Sequence, residues 1–302
     1  MTSLALLLVG CSAFLHAFWN FLSKRRNPSA TFFLMASITA TVVYLPVVYL
    51  FRAGLALIPP AVWTLLLTTG AVQAVYYIFL ATAYRSGDLS HAYPLARSLP
   101  VVLVALVSVL LGRGSQIEPL AYAGFGVVTA GCLILPLPDF KAFTLRSYRQ
   151  TWVIFALLAA FCITAYTLID DQALRTLRSM PEGSLSNLGW ALLFGELETI
   201  SLTLFMLVFV LCWPAERKVL LHAPAPAWRT AAMMGFIITA TYALILLAMA
   251  YVSNVSYVFA FRQLSIPIGA ALGILVRREP AHIPKLVGIG LVVVGLLLVA
   301  LG

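Results

Sequence analysis

The sequence predicts an all-helical integral membrane protein, with ten transmembrane helices arranged as two inverted five-helix repeats. Three observations carry this. Of 302 residues, 62% are hydrophobic and only 10% are charged, which leaves too little polar surface for a water-soluble fold. Apolar runs of about twenty residues, the length that crosses a hydrocarbon core of about 30 Å, recur along the whole chain, and the mean hydropathy is +1.01. The two halves also resemble each other at matching positions.

Cutting the chain at charges, Pro/Gly clusters and polar turns places the first five spans at residues 2–22, 31–51, 61–83, 90–111 and 119–137. The first run has no basic segment before it, and its positive cluster Lys24-Arg25-Arg26 follows it. It is therefore read as a span and not as a cleavable signal. A polar connector over 139–149 carries Asp139, Lys141, Arg146 and Arg149. The second half then gives spans at 150–170, 188–212, 229–250, 255–276 and 282–301. On this reading residues 1–138 form the first repeat and 150–302 the second.

The internal likeness is carried by two stretches and a glycine pattern. Ser12-Ala13-Phe14-Leu15-His16-Ala17-Phe18-Trp19-Asn20-Phe21-Leu22 keeps its small, aromatic and aliphatic classes in Ala159-Ala160-Phe161-Cys162-Ile163-Thr164-Ala165-Tyr166-Thr167-Leu168-Ile169. Ala83-Tyr84, Leu89-Ser90-His91, Arg97 and Pro100 find partners in Ala250-Tyr251, Val255-Ser256-Tyr257, Arg262 and Pro267. Gly124, Gly126 and Gly131 have the spacing of Gly288, Gly290 and Gly295. An odd number of spans per copy forces the second copy to enter the membrane from the opposite side. Inverted repeats are the architecture that rocks around a midplane site, so alternating access is the mechanism to test.

The net charge of +9 comes from basic residues in short groups between apolar runs, a pattern of topology control and headgroup contact with no call for nucleic acid. Loops and span ends after the odd-numbered spans hold 13 of the 19 Lys and Arg residues and those after even-numbered spans hold 4, with Arg97 and Arg262 the remainder. Counted this way, the odd loops are cytoplasmic and both termini lie outside. Cys11, Cys132, Cys162 and Cys212 all fall in apolar runs without metal-ligand spacing, and are expected to be reduced core residues. No metal or other cofactor is called for.

Polar groups inside spans are informative because an ionisable residue at the bilayer centre costs about 2.5 to 3.5 kcal/mol on insertion scales. His16, Trp19 and Asn20, at i, i+3 and i+4, share one helical face. They form either a substrate-facing wall or interhelical hydrogen bonds that fix packing. Arg97 lies in Tyr93-Pro94-Leu95-Ala96-Arg97-Ser98-Leu99-Pro100, where the two prolines are expected to break the helix beside a permanent cation, a place to hold a carboxylate or phosphate. Arg262, followed by Pro267, is its counterpart. The alternative is that each arginine is locked to Glu196, Asp170 or a carbonyl.

Gln73, Tyr76 and Tyr77 sit on the third span. Glu196 and Glu198, two apart, point to different sides of a helix and cannot both line one cavity. One of them is a candidate proton-coupling carboxylate, although nearness to a helix start favours an interfacial, structural role. Asp170 and Asp171 are expected to end the sixth span, with Asp171 and Arg175 as a solvated i, i+4 pair. The glycine faces of the fifth and tenth spans suit close helix packing, within the chain or as a homodimer seam.

Several of these residues are shared with a known group. The stretch Gly87-Asp88-Leu89-Ser90-His91-Ala92-Tyr93-Pro94-Leu95-Ala96-Arg97, with His16-Ala17-Phe18-Trp19-Asn20 and Lys24, Ala165-Tyr166-Thr167-Leu168, and Val255-Ser256-Tyr257 through Arg262, resembles the drug/metabolite transporter superfamily, EamA type. The likeness covers nearly the whole chain. It implies a secondary transporter, often an exporter of amino acids or similar metabolites, in the bacterial inner membrane. It also implies a central cavity whose matching positions are His16, Trp19, Asn20, Tyr77, Tyr93, Arg97, Tyr166, Tyr242, Tyr257 and Arg262. One departure is that Leu111-Gly112-Arg113-Gly114 stands where the family usually has a Gly-Glu pair, although the second repeat keeps Glu279. A second is that the resemblance implies cytoplasmic termini, against the Lys/Arg count.

Other classes fare worse. No His-Glu-x-x-His, paired intramembrane aspartates or local Ser/His/Asp set supports an intramembrane enzyme. Duplication with broken helices and midplane arginines favours a carrier over a channel or scaffold. The expected partners are the lipid bilayer and a small solute, and an aromatic wall with two arginines leans towards a carboxylate-bearing one.

Overall fold

The computed structural model describes all residues except 24–28, 87–88, 136, 138, 143–150, 181–184 and 279, and at 19–23, 84, 86, 89–95, 142 and 277 it describes the backbone alone. The described residues form helices and turns without strands. In order these are α1 (Ser3–Ser23), α2 (Ala30–Leu50), α3 (Arg52–Leu55), α4 (Pro60–Ser86), α5 (Leu89–Ser108), α6 (Pro119–Ile134), α7 (Thr151–Arg178), α8 (Asn187–Cys212), α9 (Pro214–Leu221), α10 (Ala225–Ala248), α11 (Val255–Arg262), α12 (Ser265–Arg277) and α13 (Ile283–Leu301). Among the described residues eight helical segments are long and apolar enough to cross a membrane, α11 and α12 counting as one, and α1 and α6 supply two shorter apolar stretches. Lys24-Arg25-Arg26, Gly87-Asp88 and Glu279 lie outside the described residues.

Helix ends follow local chemistry. Ser29 caps α2 by accepting from the Phe32 amide at 3.1 Å, and Ser186 caps α8 by accepting from Gly189 at 3.2 Å. Each cap satisfies one of the amides a helix start leaves open. Pro60, Pro119 and Pro214 occupy first positions, where the missing N–H costs nothing. Beyond α5, Gly112 turns the chain at φ 76°, a left-handed conformation that glycine adopts without strain.

The packing is reciprocal across the two halves. α4 lies on α7 as α1 lies on α10, α5 meets α7 as α11 and α12 meet α1, and α2 with α8 and α6 with α13 form the matched pairs. Each half therefore buries its faces largely on the other. The glycines explain the closest of these contacts. A Cβ on Gly124 would stand 2.6 Å from Val299 and 2.7 Å from the Gly295 carbonyl, and one on Gly131 would stand 2.8 Å from the Gly288 carbonyl. Gly126 and Gly290 face open space. Of the glycines considered for a homodimer seam, Gly124, Gly131, Gly288 and Gly295 are thus consumed inside the chain, because backbone can meet backbone there only without side chains.

Four expectations need correction. The helix break predicted at Arg97 is absent, since α5 runs unbroken through Pro94 and Pro100. The break stands in the other half, where α11 ends at Arg262 and α12 starts at Ser265. Pro267 has no N–H to give the Gln263 carbonyl, and the Ile266 amide takes that carbonyl at 2.9 Å instead.

The sixth span does not end at residue 170. α7 continues to Arg178, and Asp170 and Asp171 are fully buried, Asp170 accepting from hydroxyls and Asp171 pairing with arginines. Glu196 and Glu198 are not interfacial: they are the tenth and twelfth residues of a 26-residue helix, roughly 15 Å along it at 1.5 Å per residue. Of the cysteines, Cys132 is core, Cys162 is intermediate, and Cys11 and Cys212 are exposed on the outside of the bundle.

At one end α9 is clasped to the start of α2. The buried Glu216 carboxylate accepts from the Thr31 amide at 2.9 Å and hydroxyl at 2.7 Å, and pairs with Arg85 at 2.8 Å. At the other end Asp171 joins Arg113 at 2.9 Å and Arg175 at 2.8 Å. The Arg175 pair is the predicted i, i+4 contact, with its Asp171 end buried and its Arg175 end partly exposed. Arg113, the residue at the family's Gly-Glu position, thus finds its acid on α7.

Candidate functional site

The site is built from α4, α7, α8, α10 and α11, with α1 and α5 beside them. On α4, Thr69, Gln73 and Tyr76 are at i, i+4 and i+7, one face of a helix, and Tyr77 adjoins them. On α7, Tyr166 and Asp170 share a face in the same way. α4 and α7 pack along their length, and this brings the two faces together.

An aromatic chain results. Tyr77 lies 4.6 Å from Phe33 and 4.8 Å from Tyr76, Tyr76 lies 5.9 Å from Tyr166, and Tyr166 lies 6.0 Å from Tyr242, all between ring centroids. Arg262 closes the chain, its guanidinium 5.6 Å from the Tyr242 ring and 5.5 Å from that of Phe259, within cation–π range. Arg262 is buried, it forms no ion pair among the described residues, and its Nε and Nη1 have no hydrogen-bond partner. A guanidinium does not give up its proton, so this is a permanent buried charge.

Arg97, also buried, donates from Nη2 to the Ser265 hydroxyl at 3.4 Å. That hydroxyl in turn donates to the Arg262 carbonyl at 2.9 Å. The arginines of the two halves therefore meet at the broken helix. His16, buried on α1, is within electrostatic reach of both.

Behind the tyrosines lies a second polar group. Asp170 accepts from the Thr69 hydroxyl at 2.6 Å and from the Tyr242 hydroxyl. Glu198 accepts from the Gln73 amide and, at 3.5 Å, from the same Thr69 hydroxyl. Both acids are buried. Glu196 points elsewhere, its two oxygens buried without hydrogen-bond partners.

Of the sequence-predicted positions, the fold brings together His16, Tyr77, Arg97, Tyr166, Tyr242 and Arg262. Tyr257 stands apart, its ring 6.2 Å from Phe125 and its hydroxyl accepting from the Glu118 amide at 3.0 Å. The side chains of Trp19, Asn20 and Tyr93 lie outside those described, although their backbones sit on α1 and α5. Sequence reasoning placed Tyr76 on the third span without making it a site residue, and passed over Thr69 and Ser265. The i, i+4, i+7 spacing of Thr69, Gln73 and Tyr76 was the available signal, while Ser265 had none.

The arrangement can hold an anionic group on a buried guanidinium and stack an apolar body on tyrosine rings. Among the described residues no group of three or more His, Cys, Asp or Glu is placed to hold a metal. No curated protein sequence matches the chain. A solved crystal structure, recorded only as that of a protein, shares the fold at a TM-score of 0.70 and 16% identity, over 100% of this chain and 98% of the other. The profile of the EamA-like transporter family matches twice, over residues 3–137 and 150–301, and the chain accordingly belongs to that family of multi-pass membrane transporters, which are not enzymes.

Proposed function

We propose that the protein is a secondary transporter, working as an exporter of a small carboxylate-bearing metabolite such as an amino acid or organic acid across a bacterial inner membrane. The observation that carries this reading is Arg262, a buried guanidinium without an ion-pair partner, set at a helix break among Tyr76, Tyr166 and Tyr242. An uncompensated buried cation costs several kcal/mol, and an anion arriving from water repays part of it. Arg97 extends the same positive region, and the tyrosine rings provide apolar surface with polar edges.

The architecture behind this is ten spans in two inverted five-helix repeats, residues 1–138 and 150–302 joined by 139–149. Two family matches of five apolar helices each and the reciprocal packing support it. The two halves meet at the arginines, so rocking one against the other exposes the site to alternate sides. His16, Tyr77, Arg97, Tyr166, Tyr242 and Arg262 are its substrate-binding residues, with Trp19, Asn20, Tyr93 and Tyr257 as further positions carried from the family pattern.

The test is counterflow into proteoliposomes with a labelled panel of amino acids and small organic acids, run on the full chain and on Arg262→Ala and Arg97→Ala. Saturable uptake lost in both variants is expected. Uptake unchanged by either variant overturns the site, and turnover of a solute by the detergent-solubilised protein overturns the carrier.

A further inference from the structure

We infer that Asp170 and Glu198 form a buried proton-binding site, holding one proton between them and linked to Arg262 through Tyr242. The two carboxyls bracket a single hydroxyl, Thr69 Oγ1, at 2.6 Å and 3.5 Å. Neither has an ion-pair partner among the described residues, and both are buried between α4, α7 and α8. Two ionised carboxylates side by side in a low-dielectric interior without a cation carry a cost of several kcal/mol each. A site for two like charges settles by keeping one proton.

Two independent features point to an occupant. Oε2 of Glu198 is buried and meets no hydrogen-bond partner, an acceptor that a proton converts into a donor. Arg262, the buried cation with unpartnered Nε and Nη1, lies over the ring of Tyr242, whose hydroxyl donates to Asp170. A change in charge on the acid pair is felt at the arginine through that one side chain.

The charged and titratable groups around the pair are few. α4 presents Tyr76 and Tyr77, and α7 presents Tyr166 and Asp171, the latter committed to Arg113 and Arg175. α10 presents Tyr242 and α11 presents Arg262. The lone carboxyl of Glu196, also on α8, is on the other side of its helix. The chemistry is simple proton binding: when the proton leaves for water the pair gains one negative charge, and Arg262 then faces an internal anion in competition with a carboxylate from outside. Proton binding and carboxylate binding thus favour each other, and loss of the proton favours substrate release, which couples the two movements.

The experiment has two arms, of which only the second rests on the carrier reading. First, infrared difference spectra between acidic and alkaline buffer are recorded on the purified full chain in a Glu196→Gln background, which removes the lone carboxyl. Loss of a buried carboxylic-acid carbonyl band on alkalinisation is expected. The band should be missing from the Asp170→Asn/Glu198→Gln double variant and moved in Thr69→Val, which keeps both acids and guards against a misfolded double variant. A spectrum that is the same with and without the two acids overturns the site.

Second, proteoliposomes carry the labelled panel with and without a pH gradient. Glu198→Gln should lose gradient-driven accumulation out of proportion to counterflow. Equal retention of both overturns the coupling, while absence of counterflow for the native chain defeats the carrier reading and leaves the infrared arm to decide the proton site.

Discussion

Arg97 reaches across the two halves to Ser265, its Nη2 lying 3.4 Å from a hydroxyl that also holds the Arg262 carbonyl. One small side chain thus registers the position of both arginines at the helix break. Replacing Arg97 by alanine should abolish counterflow while the protein remains monodisperse on size exclusion. Arg97→Lys should be impaired as well, because an ammonium does not reproduce the planar fork of a guanidinium.

Pro267 is the reason for the break, so restoring its donor should close it. In Pro267→Ala the new amide can bond the Gln263 carbonyl, and removal of a helix-interior proline is worth about 3 kcal/mol in favour of a continuous helix. The expected result is a thermal midpoint in detergent that is unchanged or raised, together with several-fold slower counterflow. Faster counterflow would show that the interruption serves no transport purpose.

The α6–α13 seam gives a paired test. Gly124→Ala drives its Cβ to 2.6 Å from Val299 and should cost about 1 to 3 kcal/mol by overpacking. Gly126→Ala, with nothing within 4 Å, should be neutral or gain up to about 1 kcal/mol of helix propensity. Detergent thermal melts of the two variants should move apart, and equal midpoints would contradict the seam.

Asp171 is shared by Arg113 and Arg175, and its side chain is fully buried. Asp171→Asn should destabilise by about 3 to 5 kcal/mol, the cost of leaving buried charge uncompensated. Arg175→Ala, at a more exposed side chain of an i, i+4 pair, should cost well under half of that. Melting curves order the two, and the reverse order would place the network at the surface.

The all-helical membrane fold was legible because lipid leaves so few solutions: backbone groups must bond within their own segment, and apolar length does the rest. His16, Arg97 and Arg262 were legible for the same reason, since polar groups in lipid stand out. Asp170 and Glu198 were visible as polar residues but misplaced, because a charge near a run's end looks like a membrane exit until its partners, Thr69 and Tyr242 on other helices, are known. The break was assigned to Arg97 on the strength of two prolines. Pro94 and Pro100 are tolerated within α5, whereas the single Pro267, in the first turn of α12, keeps that helix from continuing α11, and spacing does not distinguish these. Tyr257 shares its residue type with the central tyrosines, but its hydroxyl is taken by the Glu118 amide.

The reciprocal packing has a consequence for how the chain is made. Thr69 and Gln73 enter the bilayer well before the ribosome has built Asp170 and Glu198, the residues that accept from them. A nascent first half thus dwells in lipid with these donors open. During that interval it depends on the insertion machinery or its chaperones for cover, and a chain arrested between residues 138 and 150 is a natural target for membrane proteolysis.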